Sequence, residues 1–422
     1  MFLFRSIESG EHMADKRVLS NDLRIVTEYI PTVKSVAVGV WIKTGVITEN
    51  SSNNGISHFI EHMLFKGTDN RSAKEIAETV DGVGGHINAF TSREYTCYYM
   101  KVLDENLELA IELLADMLFN SSFDPEEIEK EKSVIAEEIS MYEDSPEDLS
   151  HDLLIESMFK DHPLGYSILG QTDVVESFTQ HHLVEYVNKQ YRPDNTVIAV
   201  AGNFEDNQLH QLVQTYFGHW KKLDLQQEQI RQSSSLKFGR ISRQKDIEQI
   251  HLNIGYQGAV LGSTEMYDLL ILNNIIGGSM SSRLFQKIRE DRGLVYSIYS
   301  SMNNYTDNGV YSIYCSMNPG QLSLVQELID EEMDQLTSNG LTDDEFEKAK
   351  RQLKGSYLLG MESTSGRMAS MGKSELLLHK IDTPDDILKK INGLKKENAE
   401  LIMRRFLNLK ERTVVQVGRI GY

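Results

Sequence analysis

The segment Gly55-Ile-Ser-His58-Phe-Ile-Glu61-His62-Met-Leu-Phe-Lys-Gly67 sets two imidazoles and a carboxylate in the pattern His-x-x-Glu-His. On a helix, His58 and His62 lie four residues apart and project from one face, and Glu61 joins them. Two neutral imidazoles beside a carboxylate suit zinc, which takes nitrogen and oxygen ligands in tetrahedral geometry. Glu61 is placed to act as the general base for water activated by that zinc. Ser57 or Asn54 is expected to cap the start of the helix and Gly67 to end it.

A catalytic zinc keeps three protein ligands and one open position, so a third ligand must come from elsewhere. The stretch 126–142, EEIEKEKSVIAEEISMY, is strongly helical and carries Glu131, Glu137 and Glu138. Glu131 and Glu138 project in nearly one direction but stand about 10 Å apart along the axis, so only one can bind the ion. The other would orient a ligand. Spacing alone does not choose between them.

With Glu138 lying 76 residues beyond His62 inside EKEKSVIAEEI, the chain resembles the insulinase and mitochondrial processing peptidase family of inverted-zincin metallopeptidases. The resemblance extends through Gly84-Gly-His-Ile-Asn88-Ala89-Phe-Thr-Ser-Arg-Glu94-Tyr-Thr96, His162-Pro-Leu-Gly165 and Arg289-Glu-Asp-Arg-Gly-Leu-Val-Tyr296. It covers nearly the whole chain and is nearest to the single-chain bacterial members. It implies Glu138 as the third ligand and Glu131 as its supporting acid. It further implies that Asn88 and Ala89 lie along the substrate backbone, and that Arg289 and Tyr296 complete the site from the second half. From the residues alone, Arg289 and Tyr296 read as packing groups. The glycine-led strand at 84–91 could accept an extended peptide as an added neighbour. The implied activity is zinc-dependent endopeptidase or oligopeptidase hydrolysis with one zinc per chain, for which manganese or cobalt could substitute. Relatives of this length pair into homodimers, and the same is implied here.

Two halves of the chain echo each other. SVAVGVWIKTGV at 35–46 parallels QIHLNIGYQGAV at 249–260, aligning Gly39 with Gly255. Thr196-Val-Ile-Ala-Val200 parallels Thr413-Val-Val-Gln-Val417, and Cys97 parallels Cys315, at offsets of 216 to 218 residues. Strands of period two mixed with amphipathic helices (103–118, 126–142, 343–359) favour an α+β fold. Two homologous domains are expected, each a mainly antiparallel sheet packed with helices, facing each other across a cleft. Their bounds are 17–221, carrying the metal, and 241–422, holding substrate. Residues 222–240 read as a polar linker and 1–16 as an extension outside the fold. The duplication sets Asn274, Gly277 and Gly278 opposite His58, Glu61 and His62, so the second half lacks ligands.

Among 422 residues, 40% are hydrophobic and 25% charged, which describes a folded globular chain. A net charge of −20 disfavours nucleic acid and anionic membrane surfaces and favours basic partners. Residues 124–148 hold eleven acidic side chains, so a preference for basic residues in peptide substrates is a further expectation. No run is apolar and long enough to span a membrane. Two cysteines without a Cys-x-x-Cys pattern point to a reduced, cytoplasmic setting. Two alternatives remain: a catalytically silent partner subunit of the same fold, which usually loses a ligand, and a metal-storage protein, which needs no adjacent base.

Overall fold

The apolar run Ser35–Ile42 has no polar face to offer water, and the computed structural model, which describes residues 14–222 and 234–420, buries it on both sides at the centre of a sheet. That sheet comprises β1 (Asp15–Val18), β2 (Arg24–Tyr29), β3 (Ser35–Ile42), β4 (His86–Thr91), β5 (Thr96–Leu103) and β6 (Thr196–Gly202), in the order β1-β2-β6-β3-β5-β4. A second sheet comprises β7 (Arg240–Gln244), β8 (Ile250–Gln257), β9 (Val295–Asn304), β10 (Gly309–Met317) and β11 (Arg412–Gly418), in the order β7-β11-β8-β10-β9. Apart from β1 the two orders coincide. Among the described residues, only β2–β6 and β7–β11 pair in parallel. The expected mainly antiparallel α+β fold is the one observed, and the strand order repeats with it.

The first half contributes α1 (Ile56–Met63), α2 (Ala73–Gly82), α3 (Leu107–Asn120), α4 (Pro125–Asp144), α5 (Pro146–Met158), α6 (Thr172–Glu176), α7 (Gln180–Gln190) and α8 (Asp206–Phe217). The second contributes α9 (Thr264–Ile276), α10 (Leu322–Asn339), α11 (Asp343–Gly360), α12 (Thr364–Leu378), α13 (Pro384–Gly393) and α14 (Lys396–Phe406). The helix expected over 103–118 starts later: Leu103 ends β5 and Asp104–Asn106 form a 3₁₀ turn. A leucine at the end of an apolar strand carries no signal of where the period changes from two to 3.6.

Each sheet is covered on one face by its own helices and on the other by a helix from the opposite half. Val36, Val38, Val40 and Ile42 face a core shared with α1, α3 and α8. Ala37 and Trp41, with Val197, Ala199 and Ala201, face Met368, Met371 and Leu376 of α12. In the second sheet, Val415 and Val417 meet Leu154, Ile155 and Met158 of α5. The exchange explains the matched glycines: a Cβ on Gly39 would lie 2.4 Å from Met368 Sδ, and one on Gly255 2.6 Å from Met158 Sδ. Each crossing helix sits where a central strand has no side chain.

Several expectations need correction. The bounds 17–221 and 241–422 divide the chain but not the packing, because α5 and α12 each cover the other half's sheet. Cys97 lies under α12, whereas Cys315 faces the second sheet's own helices, so they are not equivalent. Side chains alternate faces along a strand, and a small shift of register reverses them. Strand β1 begins inside the stretch 1–16 set aside as an extension, pairing Asp15 with Thr27 and Lys16 with Val26; residues 1–13 lie outside the described residues. Of the linker 222–240, residues 223–233 lie outside them too. Its end is packed: Ser234 is buried, and Lys237 N–H donates to Met158 O at 2.9 Å.

The α5 interface is polar at its heart. His151 receives the Asn253 amide on Nδ1 at 3.0 Å and donates from Nε2 to the Tyr299 hydroxyl at 2.9 Å; Tyr299 donates to Glu147 at 2.6 Å. His251 Nδ1 meets the Tyr314 hydroxyl at 2.7 Å. Burial lowers the pKa of both rings, with nearby carboxylates opposing.

Two outcomes follow for stability. Gly39→Ala should cost about 1–3 kcal/mol by overpacking against Met368 and Trp41, read from the shift of a urea midpoint. The unfolded chain protonates His151 and His251 near pH 6.5, whereas the folded chain does so only at lower pH. Their contribution is therefore complete above that pH and is lost on acidification toward the folded pKa values. Urea midpoints should fall between about pH 7.5 and 5.5, and His151→Gln should lessen the fall.

Candidate metal centre

Helix α1 is fixed by its apolar side. Ile56, Phe59, Ile60 and Met63 are buried in the first core, with Phe59 edge-on to Phe178 at 5.5 Å. Its start is not capped as expected. The N-cap is Gly55, at φ +94°, where a side chain would be strained and would strike Leu169 and Gly170. The first-turn donors go instead to the buried carboxylate of Glu49, which accepts from Gly55 N at 2.8 Å, Ser57 N at 3.0 Å and Asn54 Nδ2 at 2.9 Å. An acceptor from the preceding turn satisfies the orphan N–H groups of the helix. Ser57 Oγ is engaged with the Tyr186 hydroxyl at 2.9 Å. The helix stops at Met63, before Gly67.

The opposite side of α1 faces α4. His58 Nε2 and His62 Nε2 each stand 3.8 Å from Glu138 Oε2. Their rings lie 4.5 Å apart between centroids. Among the described residues, His58, His62 and Glu138 are the one His/Cys/Asp/Glu group whose donor atoms all fall within 4.8 Å of one another. Tetrahedral zinc with bonds of about 2.0–2.1 Å sets its donors roughly 3.3–3.5 Å apart, so small side-chain adjustments close the site. The donor set therefore fits such an ion.

The surroundings prepare these donors. Glu131 Oε1 lies 2.7 Å from His62 Nδ1, and Lys66 Nζ reaches Glu131 Oε2 at 2.5 Å. With the Nδ1 proton given to Glu131, Nε2 presents its lone pair toward Glu138. Burial opposes charge on His62, but the Glu131 hydrogen bond and the carboxylates of Glu138 and Glu61 outweigh it and raise its pKa. A cation and a proton therefore compete for that nitrogen. Burial, aided by the neighbouring His62, pushes His58 down to about 3, leaving it neutral. Burial raises Glu131, yet its bonds to His62 and Lys66 prevail and hold it ionised.

Glu61 points to β4, where Thr91 Oγ1 donates to its Oε2 at 2.5 Å. Burial raises the pKa of Glu61, and this hydrogen bond works against the rise. Strand β4 is the sheet's edge, with one side unpaired. Ile87 and Ala89 turn toward the first core and Asn88 outward; the Ala89 N–H is taken up by Asn88 Oδ1 at 2.8 Å.

Arg289 and Tyr296 are not joined to this cluster. Arg289 lies in the π-helical turn Phe285–Glu290 with its guanidinium 4.7 Å over the Phe285 ring. Tyr296, on edge strand β9, is 76% exposed. Among the described residues, no hydrogen bond or ion pair links either to His58, Glu61, His62 or Glu138. Glu49 and Thr91 are the groups that sequence reasoning missed.

Residues 24–172 match the family model described as Insulinase (Peptidase family M16), and residues 177–353 match that of the Peptidase M16 inactive domain. A Bacillus subtilis protein described as an uncharacterized zinc protease is 46% identical over 397 residues, covering 93% of this chain and 95% of its own length. A Streptomyces coelicolor protein of the same description is 37% identical over 415 residues, covering 96% and 90%. The crystal structure of a protease from Helicobacter pylori matches with a TM-score of 0.90 at 22% identity, covering 96% of this chain and 99% of that one.

If Glu131 sets the tautomer of His62, Glu131→Gln should raise the dissociation constant for zinc roughly 10–100-fold, measured by competition with a chromophoric chelator.

Proposed function

The chain belongs to the insulinase family of peptidases, family M16, and from that membership we propose that it is a zinc-dependent endopeptidase or oligopeptidase acting on extended peptides. The observation that carries this reading is the convergence of His58, His62 and Glu138 donors beside Glu61. Zinc held there would polarise a scissile carbonyl and acidify water. Manganese or cobalt would suit the same donors.

Glu61 takes the proton of the attacking water and passes it to the leaving amine. Its raised pKa makes it a stronger base toward that water, and Thr91 holds its carboxylate in place. Glu131 and Lys66 keep His62 oriented. A peptide adds to the free side of β4 as a further strand, drawing the Ala89 N–H away from Asn88. Arg289 and Tyr296 belong to the proposal through family resemblance, as donors to the developing carbonyl charge. A preference for basic residues, assembly as a homodimer and a cytoplasmic setting complete it; no helix among the described residues is long and apolar enough to cross a membrane. A silent subunit is disfavoured, since the ligands and the base are all present.

The test uses the full chain and a quenched fluorescent peptide. Glu61→Gln should retain zinc by elemental analysis while kcat falls by about 10²–10⁴-fold. Undiminished cleavage after complete removal of metal would overturn the reading.

A further inference from the structure

The turns joining β4 to β5 and β9 to β10 carry buried polar groups that the proposed reaction leaves unused. Glu94, 7% exposed, accepts the Thr306 N–H with both carboxylate oxygens at 3.1 Å, and accepts the Thr306 hydroxyl as well. The neighbouring Arg93 donates to Leu164 O at 2.8 Å, to Tyr166 O, and to Asp152 of α5 at 3.2 Å. Thus the stretch at Arg93-Glu94 and the His162-Pro-Leu-Gly165 turn form one junction.

The receiving turn is equally fixed. Asp307 holds Ser234 Oγ at 3.0 Å, Asn308 Nδ2 donates to Ser234 O at 2.9 Å, and the Tyr305 ring stands edge-on to Phe159 at 5.5 Å. Strands β4 and β9 are both sheet edges, and both end at these turns. Their C-terminal ends are therefore tied together through Glu94. Three residues before Glu94, Thr91 donates to Glu61.

We propose that Glu94 is a positioning residue for the peptidase reaction: by fastening the β9–β10 turn of the second half to the turn after β4, it holds Thr91 against Glu61 and sets the separation of the two free edges. The inference rests on the peptidase reading above. A carboxylate suits the task because its two oxygens serve three approaches from one residue, and burial keeps water from replacing the donors.

The experiment compares Glu94→Ala, Thr306→Val and Thr306→Ser in the full chain. It measures zinc content, turnover per bound zinc and amide hydrogen exchange. With zinc content unchanged, Glu94→Ala and Thr306→Val should lower kcat on the order of tenfold to a hundredfold, as misplacement of a reacting group does. Thr306→Ser, which keeps the hydroxyl, should restore it. Exchange at Asn88–Thr91 should quicken in the first two variants. Unchanged turnover per bound zinc with unchanged exchange would overturn the proposal, even if the melting temperature drops. Should Glu94→Ala fail to fold, Thr306→Val removes a single hydroxyl and gives the same readouts. A wild-type protein that cleaves nothing would remove the peptidase reading, while exchange at Asn88–Thr91 still decides whether Glu94 fastens the strand.

Discussion

A carboxylate removed from water must find donors, and Glu131 finds two of them, the His62 ring of α1 at 2.7 Å and the Lys66 ammonium in the turn just after α1 at 2.5 Å. This buried arrangement fastens α4 against α1. Two turns further along α4, Glu138 then has little choice but to face both histidines. Glu131 is not one of the three converging donors, so its bonds to His62 and Lys66 tie the two helices through contacts the ion does not use. Part of the ordering entropy of the site is met by folding, which favours binding.

The rest of the molecule keeps α1 and α4 where they are. Glu49 gathers the N-terminal donors of α1, and the apolar face of that helix completes the first core. Strand β4 flanks α1 and supplies Thr91, and α5 continues from α4 with only Ser145 between them. Since α5 lies on the second sheet, the position of Glu138 is coupled through one helix junction to the opposite half.

Much of this was legible in the sequence, for reasons of spacing. Four residues on a helix put His58 and His62 on one face, and seven put Glu131 and Glu138 along one line. The residue pattern could not say which acid meets the ion; the structure sets Glu138 near both Nε2 atoms and Glu131 on the far side of His62. Glu49 and Thr91 were illegible because their partners lie across turns and sheets. Ser57 and Asn54 misled as caps because both side chains serve other partners. Gly39 and Gly255 were noticed as a repeat, but only the packing shows that each makes room for a helix. The Cys97–Cys315 match failed on register, which apolar strands buried on both faces define poorly by pattern alone.

The reciprocal crossing of α5 and α12 bears on how such a chain could have arisen. Each sheet borrows its covering helix from the other half, which is the arrangement of a domain-swapped dimer whose two subunits have been joined end to end. A half-length ancestor exchanging one helix with its twin would have needed only gene fusion to carry both halves on one chain. Once fused, one copy was free to lose or never gain the ion-binding side chains, because its twin still depended on it for a lid over exposed apolar strands. Neither segment could then be discarded, whatever became of its chemistry.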